Sequence, residues 1–194
     1  MIKNSYPGKF IVFEGLDGSG QSTQTKFLKD FLGNKAVLTK EPRSENKIIK
    51  DALASKKKLA PKILQELFAQ DREEHLGKEI IPALEKGKTV ICDRYAFSSF
   101  AYGSANNVPI DYLLEINKDF LMPDIVFFLD TPPPVCLKRV EKRGDKKTLF
   151  EKKKILAKVY ENYKCLSRQF NFIKINGKKN IEKVFEQVRS HYRS

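Results

Sequence analysis

Five short apolar runs, separated by segments of helical spacing, constrain this chain more than any other feature. They are KFIVFE (9–14), AVLTK (36–40), TVICD (89–93), DIVFFLD (124–130) and FNFIKI (170–175). Strand-like runs alternating with long helical patterns build βαβ units, so the expected fold class is α/β, a five-stranded parallel sheet flanked by helices. The unbroken apolarity of IVFF (125–128) suits a strand covered on both faces. Periodicity predicts a helix over 21–32 with Phe27, Leu28, Phe31 and Leu32 facing inward. A longer one runs from Pro61 to about Lys86, where Ile63, Leu64, Leu67, Phe68, Leu76, Ile80, Ile81 and Leu84 recur at helical spacing and Pro82 is placed to kink it. Further helices are expected over 135–142 and 150–170, and Ile181, Val184, Phe185 and Val188 mark an amphipathic closing helix. With 194 residues, 41% of them hydrophobic, the chain fits one domain spanning 1–194, able to bury ~70% of its unfolded surface.

The longest apolar runs, IVFFL (125–129) and FIVF (10–13), fall far short of the ~20 residues of a membrane helix. MIKNSYPGKF at the start lacks an apolar secretory segment, so the expected location is the cytoplasm, without a membrane partner. Cys92, Cys136 and Cys165 form an odd, scattered trio with no CxxC, which argues against a disulfide framework or a zinc site. The net charge of +13 raises a nucleic-acid surface as a rival reading. Residues 138–158 hold ten basic side chains against three acidic ones, so +7 of that charge sits in one segment with few aromatics to stack bases. A solvated, lysine-rich surface with a few cations facing a polyphosphate accounts for it, and no nucleic-acid partner is expected.

The first apolar run leads into Gly15, Leu16, Asp17, Gly18, Ser19, Gly20, Gln21, Ser22 and Thr23. This is the spacing of a phosphate-binding loop, G-x4-G-K-[ST], in every position except the lysine. Three glycines in six residues let backbone N–H groups curl around a phosphate, and the helix that follows adds the partial positive charge of its N-terminus. The strand, loop and helix together predict a P-loop NTPase fold. Ser22 is placed to offer its hydroxyl to a magnesium ion bridging the terminal phosphates. Gln21 donates a hydrogen bond but brings no charge, and losing a preorganised cation here would slow phosphoryl transfer by roughly 100-fold or more.

TVICDRY (89–95) carries a second signal: the run ends in Asp93 and Arg94. A carboxylate at the end of a strand beside the P-loop can organise magnesium through water, and an adjacent arginine can fork onto a phosphate. Asp130 ends its own run in the same way; the neighbouring Arg94 favours Asp93.

FIVFEGLDGSGQSTQ (10–24), TKEPR (39–43), LFAQDR (67–72), DRYAFSSFAYG (93–103) and the basic segment near 143–147 together resemble the thymidylate kinase family, in order from about residue 8 to 193. The resemblance implies transfer of the γ-phosphoryl of ATP to dTMP, with Mg2+ as cofactor, ATP and dTMP as partners, and a homodimer. It implies that Gly15 to Thr23 bind ATP with Arg139 against adenine. Asp17 would accept a hydrogen bond from the sugar 3′-hydroxyl and help place the acceptor phosphate. Phe68 would stack on thymine, and Arg72, four residues on and so on the same helical face, would read a base carbonyl. Arg94 would hold the acceptor phosphate. Ser98, Ser99 and Tyr102 would close around sugar and base; Glu41 and Pro42 match the family's loop after the second strand, Arg43 lies close enough to substitute for the arginine usual at 40, and all three would bind dTMP. KRGDKKT (142–148) corresponds to a short basic lid, about 142–149, over the ATP phosphates. Because Gly18 follows Asp17, the resemblance implies that the lid supplies the transition-state cation from Arg143, Lys146 or Lys147, which also covers in part for Gln21. Three positions depart from the family pattern: Gln21, Lys40 in place of an arginine, and Gly103 where bacterial members often carry glutamine. They leave two alternatives to the dTMP kinase reading: a nucleotide-binding pseudokinase, and a kinase of another pyrimidine monophosphate.

Overall fold

The apolar runs form a sheet in a computed structural model of the chain, which describes residues 1–43, 46–54, 56–142 and 149–193. Along the chain the strands are β1 (Ile2–Lys3), β2 (Phe10–Glu14), β3 (Ala36–Lys40), β4 (Thr89–Asp93), β5 (Leu121–Met122), β6 (Ile125–Asp130) and β7 (Ile173–Asn176). Five of them make one parallel sheet in the order β3-β4-β2-β6-β7. β1 and β5 pair separately over two residues, a ladder too short to leave a pattern in the sequence. The run at 170–175 contracts to β7. Asn171 takes φ 53°, and Phe170 and Phe172 turn to meet the Phe97 ring at 5.1 and 4.7 Å.

The helices are α1 (Gln21–Leu32), α2 (Lys47–Leu53), α3 (Pro61–His75), α4 (Ile81–Glu85), α5 (Ala96–Ala105), α6 (Ile110–Glu115), α7 (Pro133–Lys142), α8 (Leu149–Gln169) and α9 (Ile181–Arg193). Side chains alternate across a strand. Phe10, Val12, Val126 and Phe128 therefore enter one core with Phe97 and Phe100 of α5 and Tyr163 of α8. Ile11, Phe13, Phe127 and Leu129 enter another with Leu28 of α1 and Val184 and Val188 of α9. Both faces are covered, so all of β2 is buried, each large apolar side chain stabilising the fold by roughly 1.5–3 kcal/mol. Among the described residues no helix is long and apolar enough to cross a membrane.

Two helices differ from the periodicity reading. In α1 the buried face is Gln21, Gln24, Thr25 and Leu28, while Phe27 and Phe31 meet Phe185 of α9 edge-on at 5.5 and 6.1 Å. The expected helix from Pro61 to about Lys86 breaks after His75 into a wide π turn, Leu76–Ile80, before α4. Pro82 offers no N–H to the Lys78 carbonyl and its ring crowds it, which the wider turn relieves. Along α3 the buried residues are Gln65, Ala69, Asp71, Arg72 and His75, whereas Ile63 is 48% exposed. Arg143, Lys146 and Lys147 of the expected lid lie outside the described residues.

Candidate active site

The loop from Gly15 to Gly20 leaves β2 and enters α1, whose first turn has neither a side-chain cap nor an acidic residue. That leaves the N-terminal N–H groups and the helix dipole for an anion. Gly18 has φ +86°, and a β-carbon there would lie 2.6 Å from the Cys136 carbonyl oxygen. Only glycine lets the loop pass this close to α7. Leu16 and Ser19 are buried beneath the loop, the Ser19 N–H donating to the Leu16 carbonyl at 2.9 Å.

β2 and β4 are neighbours with Phe13 opposite Asp93, and this register brings the second motif to the P-loop. Ser22 Oγ donates to Asp93 Oδ2 at 2.6 Å. Among the described residues no group of three or more His, Cys, Asp or Glu could hold a metal alone. Two oxygen donors at the phosphate end of the loop fit magnesium, which takes the rest of its shell from phosphate and water. Asp130 is engaged elsewhere, accepting from Tyr160 at 2.5 Å.

Arg94 occupies the junction. Its Nη2 donates to Asp17 Oδ1 at 2.7 Å and to Gln21 Oε1 at 3.0 Å; Nη1 donates to Ser98 Oγ at 3.1 Å. The guanidinium lies 5.3 Å from the Tyr102 ring centroid, at cation–π distance. Two cavities meet here. One is lined by Asp17, Gly18, Gly20, Gln21, Ser22 and Thr23 with Lys40, Asp93 and Arg94. The other, of about 470 Å³, is lined by Glu41, Pro42, Phe68, Arg72, Ser98 and Ser99, within the 300–1,000 Å³ of small-ligand sites. Asp17, Glu41, Arg94 and Tyr102 line both.

In the second cavity Arg72 is 2% exposed and donates to Glu41 through Nε at 2.8 Å, to Asn117 Oδ1 at 2.6 Å and to Ser99 Oγ at 3.4 Å. Asn117 had no motif to mark it. Arg43 does not line this cavity. Its side chain reaches Asp71 and Glu74 on α3 and borders a groove with Thr25, Lys40 and Glu79. At Gly103 a β-carbon would lie 2.9 Å from Leu113 Cδ1 and 3.2 Å from Gln65 Cδ, so a larger residue there requires these side-chain ends to shift. On the far side of the P-loop, Arg139 donates to the Ser19 carbonyl at 3.3 Å and the Gly177 carbonyl at 2.9 Å, lining a groove with Thr23, Lys142 and Asn180.

Glu14, which the motif reading passed over, organises the strand end. It accepts from the N–H groups of Tyr95 and Ser98 and from the hydroxyls of Ser98 and Tyr163. Burial pushes its carboxyl from 4.5 up to about 7, against the Ser98 bond, the Arg94 charge and the Tyr163 bond, which pull it down. A carboxyl raised on folding keeps its proton in the native state between about 4.5 and 7 and loses it in the unfolded chain. Its contribution is complete below 4.5 and is lost as the pH climbs through 7. Denaturant unfolding of wild type minus Glu14→Gln should therefore decline over that window by on the order of 3 kcal/mol and stay level above it. A flat difference would place Glu14 in the ionised state throughout.

A P-loop that shares an aspartate and an arginine with a second ligand cavity defines the class: an α/β nucleotide-binding protein built to bring a phosphate tail against another ligand. The family model described as Thymidylate kinase matches residues 13–188. The chain is 42% identical to a probable thymidylate kinase of Methanocaldococcus jannaschii, over 92% of this chain and 93% of that protein. It is 36% identical to a probable thymidylate kinase of Pyrococcus abyssi, over 93% and 94%, and 37% identical to a thymidylate kinase of Clostridium novyi, over 94% and 97%. The chain belongs to the thymidylate kinase family.

Proposed function

We propose that the chain transfers the γ-phosphoryl of ATP to dTMP, giving dTDP and ADP, as a magnesium-dependent, cytoplasmic homodimer. The observation that carries this reading is the meeting of the P-loop cavity and the Phe68–Arg72 cavity at Asp17 and Arg94. Donor phosphates would lie along the N–H groups of residues 18–23, with Arg139 beside the adenine. Magnesium, held by Ser22 and by Asp93 through water, would neutralise charge on the donor tail. Phe68 would stack on the acceptor base, with Arg72 and Ser99 at its edge and Ser98 and Tyr102 around the sugar. Glu41 keeps Arg72 oriented, and Pro42 closes the wall. Asp17 would take the sugar hydroxyl and Arg94 the acceptor phosphate. Arg143, Lys146 and Lys147 would close over the donor and exclude water. In-line transfer needs little covalent chemistry from the protein, only placement and charge neutralisation.

A coupled assay of ADP release, with Mg·ATP and a panel of nucleoside monophosphates, tests the reading: dTMP should give the highest kcat/KM. No turnover of any acceptor despite retained ATP binding would instead indicate a pseudokinase. Phe68→Ala should raise KM for dTMP about 10-fold with little change in kcat, since a lost aromatic stack costs about 1–1.5 kcal/mol of binding. An unchanged KM would move the base elsewhere.

A further inference from the structure

The acceptor cavity holds a buried polar side chain that the protein leaves unmet. Gln65 is 5% exposed and lines the cavity from α3, and its Oε1 has no hydrogen-bond partner among the described residues. The nearest neighbours offer none: a β-carbon on Gly103 would lie 3.2 Å from Gln65 Cδ and 2.9 Å from Leu113 Cδ1, so the amide rests beside a bare backbone and an aliphatic side chain. A buried carbonyl without a donor costs stability. On the wall of a ligand cavity, what the ligand brings accounts for it.

Gln65, Phe68 and Arg72 stand at i, i+3 and i+7, one stripe of α3 facing the cavity. At 1.5 Å per residue Gln65 and Arg72 lie about 10 Å apart along the helix, with Phe68 between them. A ring stacked on Phe68 therefore meets one of these side chains toward each end. The two differ in what they offer. Arg72 has donors only, some already given to Glu41, Asn117 and Ser99, and so suits a carbonyl. Gln65 sets an acceptor and a donor side by side. Thymine and uracil present O4, N3–H and O2 in a row. With Arg72 on one carbonyl, the N3–H and the other carbonyl match the acceptor and the donor of the amide. Cytosine has lone pairs at both N3 and O2, and neither rotamer of an amide satisfies the two together.

Resting on the kinase reading above, we propose that Gln65 is a specificity-determining residue: its Oε1 accepts the N3–H of the acceptor base and its Nε2 donates to the adjacent O2 carbonyl, so that the cavity selects an imide base and refuses cytosine. The 5-methyl group plays no part in this contact, and dTMP and dUMP depend on it equally. Gln65 meets the base and not the phosphates, so its loss leaves the transfer step intact.

The test measures kcat and KM on the full chain for dTMP, dUMP and dCMP with saturating Mg·ATP, and the melting temperature of the same proteins with and without dTMP. Wild type should prefer dTMP to dCMP by at least about 10³-fold in kcat/KM, as a site built to hydrogen-bond its substrate does. Gln65→Met, unbranched, apolar and of similar volume, should raise KM for dTMP and dUMP alike by about 30-fold, with kcat within about twofold and kcat/KM for dCMP nearly unchanged. Without ligand it should melt at or above wild type, because the unmet carbonyl is gone, yet gain less from added dTMP. A side chain needed only for packing would give the opposite pair of results. An unchanged ratio of dTMP to dCMP in Gln65→Met overturns the proposal, as does a loss confined to dTMP, which would put Gln65 at the 5-methyl group. A wild type that uses dCMP within about 10-fold of dTMP overturns it with no variant needed. A wild type that turns over none of the three fails the kinase reading and the proposal with it, a result distinct from an unchanged ratio in an active enzyme.

Discussion

Arg94→Ala is expected to lower kcat by about 10³-fold with ATP and dTMP saturating, equivalent to about 4 kcal/mol of transition-state stabilisation. The guanidinium is preorganised before any ligand arrives: Asp17 and Gln21 hold one nitrogen, Ser98 the other, and the Tyr102 ring covers its face. Charges fixed in advance where negative charge moves are the largest single source of rate enhancement in sites of this kind. The backbone at Arg94 keeps a left-handed φ of 73° that costs about 1–3 kcal/mol, a distortion that placing this side chain at the junction accounts for. Asp17 is the chief charged partner and its side chain is 70% exposed, so water takes over when the arginine is removed and the melting temperature should change little. Arg94→Lys keeps a charge but cannot satisfy both sides of the fork, and about a 10- to 100-fold loss is expected. A loss below about 10-fold for the alanine variant would assign the principal cation to the lid.

Glu41→Ala should be the most destabilising single change at the site, by about 3–5 kcal/mol. Glu41 and Arg72 form an ion pair at 2.7 Å with side-chain exposures of 5% and 3%, and the fully buried His75 adds a contact at 3.3 Å. Removing the carboxylate leaves a buried guanidinium with neutral partners, Asn117 and Ser99 by hydrogen bond and the Tyr95 and Phe120 rings at 5.2 and 5.9 Å, which is the costly half of a broken pair. For a domain of this length that corresponds to a melting temperature lower by roughly 6–20 °C, measured by calorimetry without ligand. Glu41→Leu combined with Arg72→Met removes both charges and should recover most of the stability, because an apolar pair of similar volume avoids the desolvation penalty. It should leave dTMP affinity impaired, since Arg72 lines the acceptor cavity. If Glu41→Ala melts with wild type, water reaches Arg72 and the pair is not buried in solution.

The P-loop was legible because its physics is local. Glycines at 15, 18 and 20, a strand before and a helix after lie within some twenty consecutive residues. Ser22 and Asp93 were each marked by a motif, and their 2.6 Å contact follows from pairing β2 with β4. Asn117 was invisible: it meets Arg72 across 45 residues and sits in no pattern. Glu14 stood beside the loop, yet its four hydrogen bonds come from residues 81 to 149 positions away. For α3, periodicity identified an apolar stripe correctly but said nothing about which side would be covered. Arg72 and His75 go inward because Glu41 waits there, and Ile63 stays 48% exposed.

Local chemistry in the chain was thus enough to specify five strands, their alternation with helices, an anion-binding loop and the family to which they belong, since propensity, patterning and glycine conformation act over neighbouring residues. Strand order, the buried face of α3 and the seat of Arg94 between Asp17, Gln21 and Ser98 arose only on folding. Each depends on groups brought within about 3 Å from distant parts of the chain, and hydrogen bonds and buried charges are resolved by that approach and not by spacing along the backbone.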